Sequence, residues 1–332
     1  MLGLVCMRKT SRRVFVGAFG ASLLFSAPGQ THAQEVTLKA AVFVPPTTTF
    51  GIPFKRFVDR VNETGKGVLQ IRLVGGPEAV PGTAQADAVK SGVLDIAAVP
   101  PAYYKSLMVE GDAQILTDMT VAEQRASGAY DALSKIANER LNAYYLTTYG
   151  MGLPFHLYLT KDMSITKPEE LSGLRFRGSP AYNSIFKKYG IAGVNVAAPE
   201  TYTALERGIV QGYGWPLWGI DDFGWDKLTK VRVDPGFYSV VNTILMNKPK
   251  YDALSPAQKK VIDDAVVWFE KDDQIHAQAT TKAAYDVQKK RGIKTIDFGP
   301  EFKKVALDLY WEDLKKLSPD SIAKLQSLLI KK

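Results

Sequence analysis

The 332-residue chain has one cysteine, Cys6, and it lies within the first 33 residues, which read as a removable leader. Without that leader no thiol remains. Disulfides, cysteine metal sites and a cysteine nucleophile are thereby excluded, and stability rests on a core that about 300 residues can build. Histidine is nearly as scarce: once His32 leaves with the leader, His156 and His276 remain. Neither Gly-x-Ser-x-Gly nor His-Glu-x-x-His occurs, so an exported hydrolase or lyase is left with a carboxylate pair as its one open route. The acidic runs "IDDF" and "EKDDQ" read instead as solvated charges. The Gly75-Gly76 pair lacks the Gly-Lys-Ser/Thr of a phosphate loop, and no cofactor or metal is expected.

Charge of one sign is also missing. Arg8, Lys9, Arg12 and Arg13 depart with the leader, which takes 42 basic residues to 38 against 34 acidic ones, a net of +4. The basic residues are scattered, so no nucleic-acid partner is expected. Long apolar runs are absent after the leader. Within it, the stretch from Val14 to Ala27 is shorter than the roughly 20 residues of a membrane span. Thr31-His32-Ala33 fits a small-x-small cleavage site, which predicts export. "SRRVFVG" leaves a twin-arginine route open beside the general one, and "MRKTSRR" makes Met7 an alternative start.

What is present is an alternation of strands and helices. "EVTLKAAVFV" reads as a strand, "IPFKRFVDRVNETGKG" as a helix ended by Gly65, and "VLQIRLVGG" as a strand. "TAQADAVKSG" then reads as a helix ended by Gly92, and "VLDIAAVPP" as a buried strand. This βαβαβ order implies a mostly parallel sheet covered by helices. The pattern returns with "LRFRG" as a strand, "PAYNSIFKKYG" as a helix, "VNVAA" as a strand, "PETYTALERG" as a helix and "IVQGYGW" as a strand. "DAVKSGVLDIAAV" and "TALERGIVQGYGW" share a helix, glycine, strand plan, so two α/β lobes of related architecture are expected. Ser255-Pro256-Ala257-Gln258 opens a capping box, and nothing breaks that helix before Gly292, about 54 Å later.

Several side chains follow from this plan as candidates. Ligands of open α/β sheets sit beyond the carboxyl ends of strands. That rule points to Phe43 and Val44, to Tyr103 and Tyr104 in "PPAYYKS", and to Glu78 in "GGPEAVPG". "GYGWPLWGIDDFGW" packs three tryptophans among glycines and a proline, which suggests a loop wall with Tyr213, Trp215 and Trp218 in the cleft and Trp225 in the core. Arg177 ends the "LRFRG" strand beside an expected helix start at Ser179-Pro180; Arg175 reads as a surface residue.

The block "KPEELSGLRFRGSPAYNSIFKKYGIAGVNVAAPETYTALERGIVQGYGW", with "AVKSGVLDIAAV" and the long helix, resembles the DctP-like solute-binding proteins of tripartite ATP-independent periplasmic (TRAP) transporters. The likeness covers residues 35 to 325. It implies a periplasmic-binding-protein-like type II fold, with two α/β lobes, a ligand cleft between them and the long helix across both. The corresponding division is lobe I over 34–154 plus about 243–282, and lobe II over 155–242 plus about 283–332. It further implies a periplasmic monomer that passes a small organic acid to membrane permease subunits, with a sensor kinase as the alternative recipient. In the family the arginine of the "L-K-I-R" strand pairs with the ligand carboxylate, and Arg177 stands at that position. Three departures matter. Trp215 replaces an asparagine that contacts ligand. The region of a second basic contact reads "GLPFHLYLT", with His156 the nearest candidate. Gly214-Trp215 lacks the glutamate of a metal-binding branch. Together they favour a monocarboxylate with an apolar or aromatic body.

Overall fold

The computed structural model describes residues 35–331; the leader expected over 1–33 lies outside the described residues. The first part of the chain forms β1 (Val36–Val42), α1 (Gly51–Thr64), β2 (Leu69–Gly75), α2 (Gln85–Ser91), β3 (Ile96–Val99), α3 (Val121–Ser127), α4 (Ala129–Leu141) and β4 (Ala143–Tyr149). Then follow β5 (Phe155–Leu159), β6 (Arg175–Gly178), α5 (Asn183–Lys188), β7 (Ala192–Asn195), α6 (Thr201–Glu206), β8 (Gly212–Pro216) and β9 (Val231–Asp234). Last come β10 (Asn242–Asn247), α7 (Lys248–Asp252), α8 (Pro256–Lys290), β11 (Lys294–Asp297), α9 (Pro300–Leu317) and α10 (Pro319–Leu329).

Two sheets result. One runs β2-β1-β3-β10-β4, the other β11-β9-β5-β8-β6-β7. The expected parallel units are present: β1 lies between β2 and β3, and β6 between β7 and β8, all parallel. The pairings of β10 and β5 are antiparallel. Helix α1 buries Phe54, Phe57, Val58 and Val61, the 3–4 spacing that puts one face on a core. The two matched helix-to-strand corners turn through left-handed glycines, Gly92 at φ 81° and Gly208 at φ 67°, where a side chain would be strained.

The chain crosses between the sheets twice, from β4 to β5 and from β9 to β10. The two crossings bind each other: Phe155 N donates to Tyr238 O at 3.1 Å and Val240 N to Leu153 O at 2.8 Å. Helix α8 is the third connection. The predicted capping box is formed, with Ser255 and Gln258 bonding each other's backbone, and 35 residues span about 52 Å. Its start packs on α1 and β4, while Gln288 near its end donates to Leu217 O and accepts from Arg232.

Two sequence expectations shift. Strand β7 falls at 192–195 rather than 194–198; it is an edge strand with little burial, so no alternation marks it. The tail was expected to go with the second lobe from about residue 283. Only β11 joins that sheet. Helix α10 packs on α3, α4 and the 109–116 segment, and α9 lies between that segment and α5. Tyr310 donates to the buried Asp112 at 2.6 Å and Ser318 to Glu110 at 2.7 Å, so the tail is tied to the first half.

Candidate functional site

Arg175 and Arg177 leave the same face of β6, but their surroundings differ. Arg175 is exposed and donates to Gly208 O. Arg177 is 2% exposed. Its Nε donates to Val196 O at 3.0 Å and its Nη1 to Gly214 O at 3.3 Å. Its guanidinium carbon lies 5.0 Å from the centre of the Trp215 ring and 5.8 Å from that of Trp225. Among the described residues no carboxylate pairs with it, and Nη2 has no protein acceptor. A buried cation normally has a counter-charge; this one is fixed by carbonyls and rings while one edge of the fork stays free. The expected helix cap beside it is absent: Ser179 makes no capping bond, and Pro180–Tyr182 is a 3-10 turn ahead of the six-residue α5.

Arg177 stands on the wall of a cavity of about 550 Å³, counted with the space at its mouth. The first half contributes Phe43, Phe50, Tyr103 and Asn242; the second contributes Phe155, Tyr182 and Trp215. A wider cleft of about 1060 Å³ shares Phe43, Tyr103 and Arg177 and continues past Val44, Gly82, Pro199 and Phe223. The aromatic wall is continuous across the halves: Phe43 meets Tyr103 edge-on at 5.9 Å, and Phe50 meets Trp215 at 6.1 Å. Over this wall the Asp222 carboxylate accepts from Thr49 N at 2.8 Å and Thr49 Oγ1 at 3.0 Å, a polar link from the second half to the first.

Of the residues singled out from sequence, Arg177, Trp215, Tyr103 and Phe43 line this cavity. Five others do not. Tyr104 is core: its hydroxyl meets Thr243 Oγ1 at 3.0 Å, under the first sheet. Tyr213 precedes Trp215 by two residues on the same strand face, but deeper, stacked on Tyr158 at 4.8 Å. Trp218 turns to the α8 side, where Nε1 donates to Thr281; its carbonyl accepts from Trp215 Nε1 and so holds that ring. His156 is buried, with Nδ1 2.9 Å from Val233 O and 3.1 Å from Asp234 Oδ1. Burial opposes the ionised form of Asp234, but the His156 and Arg232 hydrogen bonds outweigh it and hold the carboxyl well below its usual range. Glu78 is exposed and closes its own turn by accepting from Gly76 N at 2.6 Å.

Among the cavity residues that the sequence does not single out are Phe50, Phe155, Tyr182 and Asn242. Tyr182 also explains Gly214. A Cβ at 214 would come within 2.4 Å of the Tyr182 ring, so the ring fills the space a side chain there would need.

The comparisons agree with this architecture. The model of bacterial extracellular solute-binding proteins, family 7 (DctP), matches residues 40–317. The 2,3-diketo-L-gulonate-binding periplasmic protein YiaO of Escherichia coli is 26% identical over 260 residues, 74% of this chain and 75% of that protein. Among solved structures, DctP7 of Bordetella pertussis, an extracytoplasmic solute receptor binding pyroglutamic acid, superposes with a TM-score of 0.78 at 16% identity, covering 89% of this chain and 100% of that one. A marine-metagenome TRAP solute-binding protein specific for aromatic acid ligands, crystallised with 3-hydroxybenzoate, gives 0.72 at 21% identity over 90% and 98%. The chain belongs to the DctP family, family 7 of the bacterial extracellular solute-binding proteins.

Proposed function

We propose that this solute-binding protein captures a small monocarboxylate with an apolar or aromatic body between its halves, and hands it to the permease subunits of a TRAP transporter in the periplasm. The observation that carries the reading is Arg177: a buried guanidinium on a cavity wall, wedged between tryptophans, with no acidic partner among the described residues. Its planar fork suits a carboxylate, which would supply the missing counter-charge. Phe43, Phe50, Phe155 and Trp215 give the rest of the cavity an apolar character that fits a hydrocarbon ring or short chain and disfavours a second charge. Pyroglutamate and 3-hydroxybenzoate, held by proteins of this fold, are both of that kind.

A thermal-shift screen of the protein against pyroglutamate, 3-hydroxybenzoate, benzoate, 2-oxobutyrate, malonate and neutral sugars tests it. Bound ligand stabilises by mass action, about 2.7 kcal/mol at a hundredfold excess over Kd. The expected result is a rise in Tm with one class of monocarboxylate, lost in Arg177→Ala, whose affinity falls by about 2–5 kcal/mol. No rise with any carboxylate, or equal binding by Arg177→Ala, refutes the reading.

A further inference from the structure

Resting on that reading, we infer that Tyr182 and Asn242 narrow the substrate class: the ligand is a compact monocarboxylate with one further uncharged hydrogen-bonding group, its carboxylate shared by Arg177 and the Tyr182 hydroxyl, its second polar group met by Asn242 across the cavity. Three observations lead there. Tyr182 lines the cavity, is 1% exposed, and its hydroxyl has no hydrogen-bond partner. Its ring lies against Gly214, whose carbonyl holds Arg177 Nη1, so the phenol and the guanidinium stand side by side. Burial pushes the phenol well above its usual pKa, with the Arg177 charge opposing, so the hydroxyl keeps its proton and remains a neutral donor. Asn242 opens β10 on the opposite half, is 2% exposed, and neither end of its amide bonds to protein; its Nδ2 is buried without a partner.

An orphaned buried polar group is costly, and such groups in native structures call for an explanation. Two of them on the walls of the cavity that Arg177 lines are explained together by a ligand that satisfies both. A hydroxyl beside the arginine adds a hydrogen bond without adding charge, which fits one carboxylate rather than two. An amide offers a donor and an acceptor, so a carbonyl, a hydroxyl or a ring N–H serves equally as the second group.

The test uses calorimetric titration with matched acids that differ by the second polar group: pyroglutamate against cyclopentanecarboxylate, 2-oxobutyrate against butyrate, and 3-hydroxybenzoate against benzoate. Wild type is expected to prefer the polar member of at least one pair by about tenfold or more. Tyr182→Phe is expected to weaken both members alike, by about tenfold to a hundredfold, while the ligand-free Tm holds or rises because an unpaired hydroxyl has gone. Asn242→Leu is expected to abolish the preference and keep the apolar member. The inference falls if Tyr182→Phe binds within threefold of wild type or loses ligand-free Tm, if wild type shows no preference in any pair, or if Asn242→Leu retains it. Each of these leaves Arg177-dependent carboxylate binding intact; binding of no acid at all would instead overturn the proposed function and this inference with it.

Discussion

Two strands of the molecule run into the same three residues. Beyond β3 comes Pro101-Ala102-Tyr103 and beyond β6 comes Pro180-Ala181-Tyr182; each tripeptide is a 3-10 turn, and the two turns touch across the cavity. The strands leading to them differ. Ile96–Val99 is wholly apolar and buried, whereas Arg175–Gly178 delivers Arg177 at its end. Their tyrosines differ as well. In the first half Tyr103 lends its ring to the wall and the next residue, Tyr104, bonds Thr243; in the second, the Tyr182 hydroxyl is left without a partner. One turn chemistry therefore builds two facing walls, and charge is placed on only one. On the proposed reading, the anionic end of a ligand belongs to the second half, and the first half supplies aromatic surface and the amide of Asn242.

That asymmetry can be attacked from the charged side first. Trp215→Ala removes an aromatic wall and the ring over Arg177. It is expected to weaken carboxylate binding by about 2–4 kcal/mol, the sum of apolar contact and cation–π attraction. Titration within threefold of wild type would mean that the ring supports the fold and not the ligand.

The seam between the halves comes next. The Asp273 carboxylate on α8 accepts from Gly150 N at 3.1 Å, just where β4 leaves the first sheet. Burial pushes its pKa up to about 6, helped by the neighbouring Asp272 charge and opposed by the Gly150 hydrogen bond and Arg56. Between roughly pH 4 and pH 6 the folded protein keeps a proton that the unfolded chain has released, so stability from this group falls as pH rises through that window. Asp273→Asn is expected to unfold at a higher temperature than wild type at pH 7, by about 1–3 kcal/mol in stability, with the gap closing toward pH 4. A gap independent of pH contradicts the assignment.

The smallest effect is expected on the apolar side. Tyr104→Phe breaks one buried hydrogen bond, to Thr243, and is expected to cost about 1 kcal/mol of stability with unchanged affinity. This is the reverse of Tyr182→Phe. If Tyr104→Phe instead lost ligand, the two turns would be functionally alike and the asymmetry false.

Much of this was legible in the sequence. The βαβαβ order and its return follow from periodicity and glycine stops, and the long helix from the Ser255 box. Arg177 came from its strand end together with the family resemblance, Trp215 from the tryptophans packed among glycines and a proline, and Tyr103 and Phe43 from asking what stands at strand ends. The same rule fails at Tyr104 because adjacent residues of a 3-10 turn point differently, one to the cleft and one under the sheet. Tyr213 fails through depth: it shares a face with Trp215 but lies one pleat further from the strand end. His156 fails because Val233 and Asp234, far away in sequence, hold its ring. Tyr182 and Asn242 carry no local signal of an unpaired group, since the absence of a partner is a property of three-dimensional packing. The repeated Pro-Ala-Tyr was the one available hint, because it sets Tyr182 in the position that Tyr103 holds in the other half.

The measurement that bears most directly on the central claim is a crystal structure with the best-binding monocarboxylate from the screen. The account predicts the carboxylate within hydrogen-bond distance of Arg177 and the Tyr182 hydroxyl, with the ligand body between Phe50, Phe155 and Trp215. A ligand held elsewhere, with the Arg177 guanidinium still facing no anion, would contradict it.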